Sequence, residues 1–124
     1  MNFTVKWEKN GVHVIFSGII SIENIVQSQA VYQGDPRYEE LKYSICDFRN
    51  CDSNDVKPAE LYEPLSYDIG ASSTLEDHKL ALIATNEYSK MLIENYIAKS
   101  RNVGLSWEVR FFDSESEARN WVNT

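Results

Sequence analysis

The sequence predicts an α/β fold: an N-terminal β-hairpin, then βαβαβα, forming a mixed and mostly parallel sheet. Three observations predict it. Two alternating apolar segments, Phe3-Val5-Trp7 and Val12-Val14-Phe16, flank Asn10-Gly11, the dipeptide that suits a type I′ hairpin turn with two positive-φ positions. The run Leu80-Ala81-Leu82-Ile83-Ala84 is continuously apolar, as a parallel strand buried on both faces would be. After the hairpin, each strand-like segment is followed by helical spacing, the pattern that right-handed crossovers impose on a parallel sheet.

Taken in order, the hairpin covers residues 3–17 and Gly18 closes its second strand. Ser21 caps a first helix carrying Ile22, Ile25, Val26 and Gln29, which Gly34-Asp35-Pro36 terminates, since proline cannot continue it. Leu41 to Phe48 reads as a strand turning polar at its end, and Arg49 to Asp55, rich in Asn, Asp and Ser, reads as a loop. Leu61, Leu65 and Ile69 lie four apart on a second helix. Pro64 falls inside that stripe, which predicts either a kink or two short pieces. After the buried strand, Asn86 caps a third helix with Tyr88, Met91, Leu92, Asn95 and Tyr96 on one side, and Asn102 to Gly104 ends it. Trp107, Val109 and Phe111 alternate with Glu108 and Arg110, an edge strand with one wetter face. Ser114 and Glu117 form a capping box ahead of a short last helix with Ala118, Trp121 and Val122.

The 124 residues are the length of one domain, and neither linker nor repeat divides residues 1–124. With 43% hydrophobic and 25% charged residues, the composition is globular and not disordered. No apolar stretch is long enough for a membrane span, and the first residues lack signal-peptide character, so the expected location is the cytoplasm. Twelve basic against nineteen acidic residues give −7, without a local Lys/Arg cluster, which argues against nucleic acid as a partner. Cys46 and Cys51 lack CxxC spacing and read as reduced thiols, Cys46 on a strand and Cys51 in a turn-like segment. With only His13 and His78 as histidines, no metal site and no cofactor are expected.

Two segments then carry a resemblance. One is Gly34-Asp35-Pro36-Arg37-Tyr38 with the strand ending Asp47-Phe48-Arg49. The other is Trp107 to Asp113, leading through Glu115 and Glu117-Ala118 to Trp121-Val122. Together they are similar to the bacterial SpoIIAA-like proteins, whose fold is related to the STAS (anti-sigma-factor antagonist) and CRAL-TRIO domains. The resemblance implies a β-α superhelix with helices largely on one side of a mixed sheet, and no catalytic activity. It also marks two departures. Many such proteins have a glycine early in the third helix, where Lys90-Met91-Leu92 stands here. The antagonists carry a phosphorylatable serine in an Asp-Ser-Ser-Gly turn at a helix start. Here the residues are Asp52-Ser53-Asn54-Asp55, so only the first two positions match.

In an open parallel sheet, ligands and partners meet the carboxyl ends of the strands, an edge that would gather Asp47, Arg49, Ser53 and Asn86. Each has a structural reading beside the functional one: Asp47 and Arg49, two apart on a strand, share a face and can simply pair, and Asn86 can simply cap a helix. Ser53 is a candidate phosphorylation switch, with Asp52 and Asp55 opposing the added charge. His13 reads as a half-exposed strand residue and His78 as a solvated loop residue. Tyr62, Tyr67, Tyr88 and Tyr96 could line an apolar groove between the second and third helices and the sheet, fill the core, or form a homodimer contact.

With no GxSxG, Walker-type or GxGxxG motif, the expectation is a non-catalytic STAS-like binding or regulatory module acting on another protein. The alternative is a carrier or sensor of a small apolar, lipid-like ligand. A filled core with a polar functional surface distinguishes the first, and an apolar cavity of roughly several hundred Å3 the second.

Overall fold

A computed structural model describes residues 2–124. The chain runs β1 (Phe3–Trp7), β2 (Gly11–Ile20), α1 (Ile22–Gln33), a 3-10 turn (Pro36–Glu40), β3 (Tyr43–Asn54), a second 3-10 turn (Pro58–Leu61), α2 (Tyr62–Ser72), β4 (Lys79–Ile83), α3 (Glu87–Val103), β5 (Glu108–Phe112) and α4 (Glu115–Val122). The five strands form one sheet in the order β1-β2-β3-β4-β5. Only the β1–β2 pair is antiparallel. The predicted α/β order is therefore the observed one.

Strand alternation divides the side chains between two faces. Val12, Val14, Phe16, Cys46, Phe48, Leu80 and Leu82 join the larger core, covered by α1, α2 and α3, with the Phe16 and Phe48 rings stacked at 4.7 Å. Tyr43, Ile45, Ala81 and Ile83 face the other way and are covered by Ala118 and Val122 of α4. Three helices thus share one face and α4 alone holds the other.

Several local expectations are overturned by tertiary pairing. The hairpin turn uses no positive φ at Asn10 or Gly11. Gly11 is needed for space instead: a Cβ there would lie 2.1 Å from the Tyr43 ring. Gly18 does not end β2. It sits at φ 74° within the strand, where the register to β3 slips, and Ile19 and Ile20 continue the pairing. Pairing with Ser17 to Ile20 recruits residues 50–54, read from composition as part of a loop, into β3 opposite β2. Cys51 is accordingly a buried strand residue, and both cysteines are free. The second helix is neither kinked nor split at Pro64. The 3-10 turn passes directly into α2 at Leu61/Tyr62, both with right-handed helical dihedrals, and Pro64 sits in the first turn of α2, where its missing N–H costs nothing. Ser114 Oγ accepts the Glu117 N–H, the first half of the expected capping box.

Two buried polar groups shape the core. His78, expected in solvent, is 2% exposed: its Nε2 lies 2.7 Å from Ser44 Oγ and its ring packs on Trp107. Asp68 replaces Ile69 in the buried stripe of α2, because Leu61, Leu65 and Asp68 face inward while Ile69 is exposed. Its Oδ1 accepts from Gln29 (3.1 Å) and Gln33 (2.8 Å) of α1, and its Oδ2 from the Tyr96 hydroxyl of α3. Gln29 also donates to the Pro64 carbonyl at 2.9 Å. One carboxyl therefore ties three helices together beside a small cavity of about 50 Å3 lined by Phe16, Ile25, Phe48, Leu82 and Ile93.

Burial pushes the Asp68 carboxyl up to about 6 from an ordinary 3.8. Between those values the folded chain holds a proton that the unfolded chain has lost, so this stability is present at low pH and lost as the pH rises through 6. Burial acts oppositely on His78, lowering it from 6.5 to about 4, so its stability is lost as the pH falls across that window. Each effect is about 3 kcal/mol and the two oppose one another. Asp68→Asn keeps an acceptor for both glutamines and lets the Tyr96 hydroxyl turn round to accept. Acidification from 6.5 to 4 is expected to lower the melting midpoint of this variant more steeply than that of the unmodified chain. Parallel midpoint curves for the two proteins would refute the Asp68 contribution.

Candidate functional site

The geometry starts at the middle of β3, on the face that α4 covers. Asp47 is 2% exposed, opposite Ile15 of β2 in register, with His13 on the same face. A carboxylate so placed must be partnered. Arg49 does this bidentately, Nε to Oδ1 at 2.9 Å and Nη2 to Oδ2 at 2.6 Å, and its main-chain N–H adds a third bond at 3.1 Å. His13 Nε2 lies 3.1 Å from Oδ2. The same-face pairing of Asp47 and Arg49 is as their spacing suggests. His13, however, is buried and not half-exposed.

From there the network closes through α4. Arg49 Nη2 donates to Glu115 at 2.8 Å, and Arg119, one turn along the helix, donates to the other Glu115 oxygen at 2.7 Å. Arg119 then grips both carboxylate oxygens of Glu8, at 3.0 and 2.8 Å, and approaches His13 Nδ1 at 3.3 Å. Because guanidinium only donates, Nδ1 accepts and Nε2 donates to Asp47. The Tyr43 hydroxyl donates to Glu8. Burial by itself would raise the Asp47 carboxyl. The hydrogen bonds from Arg49 and His13 outweigh it and hold the group well below the usual carboxylate range. Arg119 and Tyr43 likewise hold Glu8 low against the effect of burial.

This ring has ligand-type atoms from His13, Asp47 and Glu115 within 4.8 Å of one another. The Arg49 guanidinium already bridges the two carboxylates, so a cation could enter only by expelling it. No nucleophile stands beside His13 in these bonds. What the arrangement does is hold α4 against the sheet.

Asn86 is likewise committed to structure. Its Oδ1 accepts the Ser89 N–H at 2.9 Å, capping α3, while its Nδ2 donates to the Cys51 carbonyl at 2.7 Å. Asn54 Nδ2 donates to the Tyr88 carbonyl at 2.9 Å, a second stitch between the tail of β3 and the head of α3. Ser53 lies on β3 opposite Ile19, ahead of the 3-10 turn that begins at Pro58. Ser53 therefore starts no helix of its own, although its neighbours Cys51 and Asn54 are bonded to the head of α3.

The four tyrosines do not share a groove. Tyr96 alone is buried and borders the core cavity, while Tyr62, Tyr67 and Tyr88 are exposed at different places on α2 and α3. Tyr88 instead joins a groove of about 210 Å3 on the surface, lined by Val56, Pro58, Leu61, Met91 and Leu92. It lies just past the carboxyl end of β3. Tyr88 is 63% and Met91 59% exposed. Of the polar ring, Glu8, Tyr43, Glu115 and Arg119 were not singled out from sequence as site residues. The i, i+4 spacing of Glu115 and Arg119 was the only signal available.

No protein-family model matches the sequence, and neither does any curated protein. Solved structures do match in fold. The anti-sigma factor antagonist SpoIIAA in its unphosphorylated form superposes with a TM-score of 0.62 at 12% identity, covering 98% of this chain and 96% of that one. An uncharacterized DUF3478-family protein with a SpoIIAA-like fold, from Shewanella loihica, gives 0.60 at 13%, covering 97% and 91%. A putative anti-sigma factor antagonist from Thermotoga maritima gives 0.57 at 18%, covering 98% and 95%. The chain has the SpoIIAA-like fold.

Asp47→Ala strands His13 and Arg49 without their acceptor and is expected to lower unfolding stability in urea by about 3 kcal/mol. Amide exchange should quicken first in α4. Unaltered protection of α4 would show that the ring does not hold the helix. In the unmodified chain, the Asp47 contribution is present above its ordinary 3.8 and is lost as acid protonates it below that value.

Proposed function

We propose that residues 1–124 form a single non-catalytic, cytoplasmic regulatory module that binds another protein at the carboxyl edge of the sheet. One observation carries this reading: Tyr88 and Met91 stand exposed around an apolar groove that the Asn54 and Asn86 stitches hold open beside the end of β3. Aromatic and methionine side chains on a rigid frame are what protein partners use as anchors, since their burial returns much free energy for little ordering. Fold neighbours that include anti-sigma factor antagonists support the same class of role. Asp47 and Arg49 contribute to it by fixing the frame and not by touching the partner.

The carrier reading finds less support. The cavity between α1, α2, α3 and the sheet is about 50 Å3, space for a few water-sized groups and not for a lipid chain.

The test is native mass spectrometry on the protein captured from its own host's cytosol, run beside a Tyr88→Ala/Met91→Glu variant. A protein partner is expected with the unmodified chain. The variant should bind it at least roughly 100-fold more weakly, as loss of two anchor residues predicts, with an unchanged melting midpoint. A retained adduct of lipid size, or a partner held equally by both forms, would overturn the proposal.

A further inference from the structure

At the far end of the sheet, β5 pairs with β4 on one side only. Ala84 N–H donates to the Phe112 carbonyl, so Phe112, and by alternation Arg110 and Glu108, aim their main-chain groups at β4. Val109 and Phe111 consequently present their N–H and C=O groups outward. Exposed edges of this kind are normally blunted by charge, most often lysine. Here the two charges are opposite in sign, one residue to either side of Val109: Glu108 and Arg110, both exposed and neither engaged in an ion pair among the described residues. The other edge strand, β1, carries Lys6 alone and has no such complement.

We propose that β5 is a homodimer edge, in which two copies pair antiparallel about a two-fold axis at Val109 and join their five-stranded sheets into one. That axis places Val109 opposite Val109 with outward N–H and C=O groups in register. It also places Glu108 of each copy opposite Arg110 of the other, twice per dimer and on the same face of the sheet. An isologous contact requires this self-complementarity, and a charge pattern of a single sign would forbid it. Arg110 is already oriented over the Trp121 ring at 5.2 Å, with its guanidinium on the face where the second copy's Glu108 would lie. A shallow groove lined by Ser100, Arg101, Leu105 and Val109 runs along this edge. The Tyr88–Met91 groove shares no lining residue with this edge, so the dimer would present two partner grooves and gain avidity for a bivalent partner, a consequence that rests on the proposed partner site.

Sedimentation equilibrium on the purified full chain tests this. The unmodified chain is expected to dimerise reversibly. Arg110→Glu sets like charges opposite each other twice and should raise the dimer dissociation constant about tenfold or more. The double exchange Glu108→Arg/Arg110→Glu re-forms both pairs and should restore affinity to within about threefold. Val109→Pro removes an outward N–H but no bond to β4, and should abolish dimerisation with the monomer still folded by circular dichroism. Were that variant unfolded, the two charge variants would still decide. A chain monomeric up to roughly millimolar concentration, a dimer indifferent to Arg110→Glu, or a double exchange that fails to rescue would each overturn the inference.

Discussion

β2 and β3 lie parallel over most of their length, and this pairing sets a buried carboxylate, Asp47, into the middle of the sheet. An unpartnered carboxylate there would cost several kcal/mol, roughly the whole stability of a domain this size. The surroundings are built to answer it. His13 arrives from β2 through the strand register, Arg49 from two residues along β3, and Glu115 and Arg119 from α4. Because each guanidinium bridges two carboxylates, the last helix is held by charge-assisted hydrogen bonds as well as by the small apolar contact of Ala118 and Val122.

The opposite face solves a similar problem differently. Asp68 lies among α1, α2 and α3 without an ion pair among the described residues, and three neutral donors satisfy it. Without a compensating charge its proton affinity rises, whereas that of Asp47 falls. The two acids have the same chemistry and opposite titration behaviour because one faces guanidinium and the other faces amide and phenol groups. Asp68 bonds directly to side chains of neighbouring helices and Asp47 reaches α4 through Arg49, so both position helices.

The same strands and helices set what is left at the surface. The β2–β3 pairing runs past the Gly18 bulge, and this extra length carries Asn54 out to the head of α3. The groove around Tyr88 and Met91 exists because the β3 tail is a paired strand and not a free loop. At the other end of the sheet, β5 pairs with β4 alone among the described residues.

Alternation, helix caps and apolar runs were enough to determine the order of strands and helices, the inward side of β1 and β2 and the two-sided burial of β4, because those signals arise within a few residues of chain. Residues whose environment comes from distant partners were not legible in that way. Nothing near His13 announces Asp47, thirty-four positions away, and nothing near Asp68 announces the glutamines of α1. Asp68 did sit at the heptad position that follows Leu61 and Leu65, but a polar residue there reads as solvent-facing until its donors are known. Residues 50–54 have the composition of a loop, and only pairing with β2 makes them a strand. Local propensity is worth tenths of a kcal/mol per residue, while a completed ladder or a satisfied buried charge is worth more. Tertiary structure therefore decided the polar ring, the extended strand and the surfaces they expose.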